Sequence, residues 1–350
     1  MFALKEQPVC PVFGECGGCL YQDCSYEEEL KIKEHQLRVL LKTKLDLEED
    51  CFDPIEPSPK VYHYRHRLDL KLQRTRNSGV LMGFSPNPIP QPRWGMVPIE
   101  SCAIAHKGIS DFIPRLKQEA LEKFPSNYRQ ANLVVRCGDE GKIFWGGIGK
   151  KSLTQRNEDY LWTEIRGRKI FYSLETFFQA NLSILPKIFE YLNTLPLWSD
   201  QVHFYDLYGG VGLFGIGLID IVKRVTLIEE SPASMTLAEY NIFFHQLKNF
   251  SLVKGRVEEK LPDLLKNNQG EITVAMIDPP RGGLSPTVCE LLSQAKNLDH
   301  LLYLSCNPQA LARDLTVLTQ KSWHVVKIKP FDFFPRTKHL ETLVYLRRHS

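Results

Sequence analysis

The sequence predicts an α/β fold whose carboxyl-terminal half is an open, mainly parallel sheet. Three stretches carry that expectation. Val202-His203-Phe204-Tyr205-Asp206-Leu207 is a β-prone run that meets Tyr208-Gly209-Gly210-Val211-Gly212 and then a helix start. Ile272-Thr273-Val274-Ala275-Met276-Ile277 runs into Asp278-Pro279-Pro280-Arg281, and Leu301-Leu302-Tyr303-Leu304 runs into Ser305-Cys306-Asn307-Pro308 and a helical pattern over 309–315. Strands that alternate with turns and helices read as βαβ units. Sheets of this kind bind ligands in the crevice beyond the strands' carboxyl ends. Asp278 and Cys306 are therefore expected at one edge.

With 350 residues the chain is long enough for two or three domains. A hydrophobic content of 43% beside 24% charged residues is that of an ordinary globular protein. The formal net charge of +3 neither requires nor excludes nucleic acid, because binding depends on where Lys and Arg cluster. No stretch has the apolar length of a signal peptide or a membrane span, so a cytoplasmic protein without a membrane partner is expected.

Four of the nine cysteines, Cys10, Cys16, Cys19 and Cys24, crowd the first 25 residues. In a reducing compartment that crowding favours metal binding over disulfides. Gly14, Gly17 and Gly18 permit turns that aim several sulfurs inward, a setting that suits zinc or an iron-sulfur cluster. Cys102, in a turn-prone setting after a proline-rich stretch, is the expected fourth ligand, and Cys24 is its local rival.

Residues 26–44 read as one amphipathic helix, with Leu30, Leu37, Leu40 and Leu41 at helical spacing. Three prolines between Asp50 and Pro59 make a linker. The expected boundaries are 1–25 for the cysteine loop, 26–55 for helix and linker, 56–172 for a β-rich central domain and 173–350 for the α/β domain. Short β-prone runs mark the central domain as mainly antiparallel. Its Arg65, Arg67, Lys71, Arg74 and Arg76, interleaved with Tyr62, Tyr64 and His66, are placed to hold phosphates and stack on bases, or equally to form a solvated strand face. Residues 85–92 read as an exposed proline-rich loop.

Phe177-Phe178-Gln179-Ala180-Asn181 pairs two aromatics with two amides, which can line a pocket or simply cap a helix. The glycine turn at 209–215 satisfies a dinucleotide fingerprint through Gly210, Gly212 and Gly215, and Glu229 ends the next strand where an acidic group can accept from ribose hydroxyls. A nicotinamide or flavin enzyme is consistent with that turn alone. Asp278-Pro279-Pro280 moves the expectation to S-adenosylmethionine, and Arg281, where amine-methylating enzymes carry an aromatic, argues against amine methylation.

Taken together, Cys10/Cys16/Cys19, Phe177-x-Gln179-x-Asn181, Asp206-Leu207-Tyr208-x-Gly210, Asp278-Pro279-Pro280-Arg281, Ser305-Cys306-Asn307-Pro308 and His339-x-Glu341 resemble the RNA uridine-C5 methyltransferases. The resemblance spans nearly the whole chain and implies a Rossmann-like methyltransferase domain behind an RNA-binding central domain and an iron-sulfur loop. It implies methylation of uridine C5, with 23S ribosomal RNA favoured over transfer RNA and an unpaired loop as target. Cys306 would add to uracil C6, Glu341 would remove the C5 proton and Asp278 would support the enolate. Gln179, Tyr208, Glu229 and Asp278 would hold S-adenosylmethionine, Phe177 would contact the uracil, and Cys10, Cys16, Cys19 and Cys102 would hold a [4Fe-4S] cluster. A monomer is expected, in the form that lacks the additional N-terminal β-barrel of many relatives, because nine residues precede Cys10. A non-catalytic RNA-binding or iron-sulfur-sensing protein on the same fold is the alternative, and it would need neither Cys306 nor Glu341.

Overall fold

The computed structural model describes residues 6–75, 79–87, 95–147, 159–266 and 270–349. Helix α1 (Tyr26–Lys44) starts where the Ser25 side chain accepts from the Glu28 amide, with Glu27, Glu28 and Glu29 in its first turn and basic residues in its last. Its inner face holds Leu37 and Leu41 as expected, but also Glu29 and Lys33. Those two charges form a buried ion pair, Lys33 Nζ lying 2.7 Å from Glu29 Oε1.

Strands β1 (Arg67–Arg74), β2 (Val80–Phe84) and β3 (Val97–Pro98), helix α2 (Lys107–Lys123), and strands β4 (Gln130–Cys137) and β5 (Ile143–Gly146) form the central unit. The strands make an antiparallel sheet in the order β3-β2-β1-β4-β5. Leu68, Leu70 and Leu72 of β1 point to one face, where Ile109, Ile113 and Leu116 of α2 cover them. The sequence did not reveal α2: Pro114 interrupts its pattern, yet the helix accommodates it. Arg76 and residues 88–92 lie outside the described residues. Of the expected loop, Pro86 forms a bridge with Cys16.

Hairpin β6 (Leu161–Ile165) and β7 (Arg168–Tyr172) precedes the expected boundary at 172/173 but packs with the carboxyl-terminal unit. Leu161, Ile165, Ile170 and Tyr172 share a core with Phe204 and Val225, and Asn241 exchanges hydrogen bonds with the Phe171 backbone. Burial of its apolar face decides where the hairpin sits.

The carboxyl-terminal unit continues through α3 (Leu185–Thr194), β8 (Val202–Leu207), α4 (Leu213–Leu218), β9 (Arg224–Glu229), α5 (Pro232–Phe244), β10 (Phe250–Lys254), α6 (Val257–Lys266), β11 (Ile272–Ile277), α7 (Pro286–Gln294), β12 (His300–Ser305), α8 (Pro308–Lys321), β13 (Trp323–Phe331) and β14 (Glu341–Arg348). Its sheet runs β10-β9-β8-β11-β12-β14-β13. Strands β8 to β12 are parallel, whereas β14 is antiparallel to both neighbours. The strand order reverses between β8 and β11, the position where doubly wound sheets open a ligand crevice. Among the described residues no helix is long and apolar enough to cross a membrane.

Candidate active site

The parallel strands β8, β11 and β12 stop at one edge, so Tyr208, Asp278 and Cys306 follow them there. Strand β14 runs the other way and begins at that edge with Glu341. Ser305 pairs with Thr342 across β12 and β14, and one residue beyond that pair stand Cys306, just past the end of β12, and Glu341, the first residue of β14. The register therefore places a thiol and a carboxyl side by side.

Burial decides their protonation. Glu341 is 4% exposed, and its Oε2 has no hydrogen-bond partner. Desolvation, reinforced by the Asp278 charge, holds its carboxyl well above the usual range, while Arg281 pulls the other way. Asp278 is also raised by burial, against the opposing hydrogen bond from Gln179 Nε2 to its Oδ2 at 3.2 Å. The Cys306 thiol is pushed up to about 11 by burial and then by the charges of Glu341 and Asp278, with Arg281 opposing. Its resting form is the thiol.

Cys306 opens into a cavity of about 670 Å³. Arg281, Asn307, Lys338 and His339 line one side and Lys33, Gln36 and Leu37 of α1 the other. The Asn307 side chain caps α8 and donates to the Arg281 carbonyl at 2.8 Å, tying the Asp278 loop to the Cys306 loop.

The second part of the crevice lies at the β8 turn. Phe177, Gln179, Tyr208, Gly209, Gly210 and Asp278 line one pocket. Tyr208 has φ 60°, and a side chain at Gly209 would meet Leu227 Cγ at 2.5 Å, so the turn follows the backbone closely. Glu229 accepts from the amides of Gly210 (3.0 Å) and Ser231 (2.7 Å), which makes it a brace of that turn in addition to its expected ribose role. Asp206, 2% exposed, accepts from the Gly215 amide at 2.8 Å, and burial pushes its carboxyl up to about 8 despite that bond. Phe177 is 66% exposed at the rim, whereas Phe178 is buried and stacked on Tyr172. Asn181 points away from the pocket, donating to Ser58 Oγ and the Phe333 carbonyl.

Arg136 is a site residue that sequence reasoning missed. It is 1% exposed, donates to the carbonyls of Ser173, Thr176 and Phe178, and so fixes the segment that presents Phe177 and Gln179. Its place inside a β-prone run gave no signal of burial.

Cys10, Cys16, Cys19 and Cys102 line a separate cavity of about 230 Å³, with Arg65, Arg281 and His339 also in its wall. Burial raises the Cys16, Cys19 and Cys102 thiols, Cys19 to about 12, and neighbouring thiols add to the shift. Cys24 lies outside that cavity, with its thiol directed at the Tyr21 carbonyl. Among the described residues no three His, Cys, Asp or Glu side chains converge tightly enough to hold one metal ion. The four thiols stand around a space instead.

The basic stripe is mostly engaged within the protein. Arg67 pairs with Asp69, Lys71 donates to Ser85 Oγ, and Arg74 donates to the carbonyls of Phe124, Pro125 and Tyr128 while lying over the Phe124 ring. Arg74 is a structural residue of the central unit.

A model of the tRNA (uracil-5-)-methyltransferase family matches residues 147–349, more than half of the chain. The chain is similar to an uncharacterized RNA methyltransferase of Clostridium tetani, 27% identical over 98% of this chain and 84% of that protein. A second relative, an uncharacterized RNA methyltransferase of Aquifex aeolicus, is 28% identical with the same coverages. Among solved structures, Pyrococcus abyssi tRNA (uracil-54, C5)-methyltransferase in complex with S-adenosyl-L-homocysteine superposes with a TM-score of 0.70 at 21% identity, covering 94% of this chain and 85% of that one. That likeness covers the antiparallel central unit as well as the Rossmann-like carboxyl-terminal unit. The chain belongs to the tRNA (uracil-5-)-methyltransferase family and is an S-adenosylmethionine-dependent RNA methyltransferase.

Proposed function

We propose that the protein methylates C5 of a uridine in RNA, with Cys306 as nucleophile, Glu341 as base and Asp278 as the group that supports the enolate. The observation that carries this reading is the adjacency of Cys306 and Glu341 across β12 and β14, with Asp278 at the end of β11.

Uracil C5 is a poor nucleophile, so Cys306 gives up its thiol proton to water in the open cavity, a loss that Arg281 favours, and the thiolate adds to C6, moving the C5=C6 electron pair toward C5 and O4. Protonated Asp278 donates to the oxygen that gains charge. S-adenosylmethionine, when bound beside Gln179, Tyr208 and Asp278, would supply the methyl group that C5 accepts and would leave as the neutral thioether. Glu341, as carboxylate, then removes the C5 proton, the C5–H pair becomes the C5=C6 bond, and Cys306 leaves as thiolate. A carboxylate whose pKa is raised by burial is a stronger base for that step. Gln179, Tyr208 and Glu229 are the proposed cofactor contacts. Exposed Phe177 is the proposed stacking surface for an extruded uracil.

Cys10, Cys16, Cys19 and Cys102 are the proposed ligands of a [4Fe-4S] cluster. Four enclosed thiols around a space fit a polynuclear centre, and their segment ties the N-terminus to the central sheet through Gly17 and Ser85. Iron and acid-labile sulfide measured on protein purified without oxygen check this, and bound zinc without iron overturns it.

Transfer of tritiated methyl groups to total ribosomal RNA and total transfer RNA from cells lacking this protein, followed by nucleoside analysis, tests the activity. We expect 5-methyluridine in the ribosomal pool. Label in another nucleoside would overturn the C5 assignment, and label confined to transfer RNA would correct the substrate class.

A further inference from the structure

The residues between β13 and β14, 332–340, connect the two strands at the active-site edge. Phe331, the last residue of β13, pairs with Glu341, the first of β14, so this connection alone joins the two ends of the register that carries Glu341. Four buried charges clamp it. Lys33 Nζ of α1 lies 2.7 Å from Asp332 Oδ1 and 2.7 Å from Glu29 Oε1, and donates to the Phe334 carbonyl at 3.1 Å. At the tip, the Arg336 amide donates to Glu29 Oε1 at 2.7 Å. The Arg336 guanidinium donates to the carbonyls of Tyr21 (3.0 Å) and Cys24 (2.8 Å), and lies over the Tyr62 and Tyr26 rings. Its own carbonyl accepts from the amides of Leu20 and Tyr21. Arg336 also has φ 66°, a left-handed conformation that a non-glycine residue holds only when its surroundings enforce it.

Buried charges that only stabilised the fold would be served as well by apolar packing. Here all four meet at the connection that sets Glu341, and they join it to α1 and the cysteine segment, neither of which supplies a proposed catalytic group. We propose that Arg336, with Glu29, Lys33 and Asp332, is a positioning device that holds Glu341 at its post beside Cys306. The proposal rests on the reading of Glu341 as the base that removes the C5 proton. Loosening the clamp then slows the step after methyl transfer more than the steps before it, and the methylated RNA stays attached to Cys306.

The test compares wild type, Arg336→Gly, Glu29→Gln and Glu341→Gln with tritiated S-adenosylmethionine and the RNA pool that accepts methyl groups. Glycine suits the left-handed backbone, so Arg336→Gly removes the guanidinium without adding strain there. Glu29→Gln keeps the acceptor for the Arg336 amide and serves if Arg336→Gly does not fold. Turnover, cofactor affinity by calorimetry and the fraction of labelled RNA that stays on the protein through denaturing electrophoresis are read together. We expect turnover to fall by about 10²-fold for Arg336→Gly, as a misplaced catalytic group costs, and less for Glu29→Gln. Cofactor affinity should stay within about threefold, because the clamp lies apart from the cofactor pocket, and the attached fraction should rise in both variants as it does in Glu341→Gln. If Glu341→Gln accumulates attached RNA while neither clamp variant does, the positioning role is wrong and the base assignment stands. If Glu341→Gln accumulates none, the base assignment fails and the positioning role with it.

Discussion

The two thiol sites of this protein share a wall and differ in everything that decides their chemistry. Arg281 and His339 line both the cavity of Cys306 and that of Cys10, Cys16, Cys19 and Cys102. Burial raises the thiol in each, Cys306 to about 11 and Cys19 to about 12. The pKa therefore does not tell the proposed nucleophile from the proposed ligands. The neighbours do. Cys306 stands alone at a strand end with two buried carboxyls and an antiparallel partner strand, whereas the other four thiols face one another from a glycine-rich loop and a turn of the central unit.

Substitutions at each site sharpen that contrast. The largest effect in the carboxyl pair is expected for Glu341→Gln, which should lower turnover by about 10³-fold while leaving RNA binding within a few-fold, since a base acts only in the chemical step. Equal losses in turnover and RNA affinity would reduce Glu341 to a binding residue. At the other cavity, Cys102→Ser should remove most bound iron and lower the thermal midpoint, and Cys24→Ser should do neither. Iron lost only with Cys24→Ser would move the fourth ligand.

A further effect is a dependence of stability on pH. The folded-state pKa of Asp206, about 8, lies above its unfolded value near 4. The native state thus binds more protons, so stability is fullest below about pH 4 on this account and falls as pH rises toward 8, by at most about 1.4 kcal/mol per pH unit. Asp206→Asn should flatten that slope between pH 5 and about 8, measured by urea unfolding of the apoprotein. An unchanged slope would place the responsible protons elsewhere.

Much of this arrangement was legible in the sequence where local chemistry and periodicity agree. The apolar runs ending at Ile277 and Leu304 announced a sheet edge, because turn-forming Asp278-Pro279-Pro280 and Asn307-Pro308 follow them at once. The extent of α1 followed from its leucine spacing. What stayed hidden depends on contacts distant in sequence. Nothing local reveals the burial of Lys33 and Glu29, because Asp332, which pairs with Lys33, and Arg336, whose amide donates to Glu29, lie some 300 residues away. Arg136 was silent for the same reason, since its three acceptors belong to a segment beyond the next hairpin. The nearness of Cys306 to Glu341 follows from the Ser305–Thr342 register, and register across an antiparallel insertion comes from the packed sheet.

The most direct test of the central claim is Cys306→Ala. Turnover should fall by at least about 10⁴-fold, because no other group can take up the covalent role, while affinities for S-adenosylmethionine and for the acceptor RNA stay within a few-fold of wild type. Methyl transfer that survives this substitution at more than a few per cent would contradict a covalent mechanism at Cys306 and, with it, the site proposed for this protein.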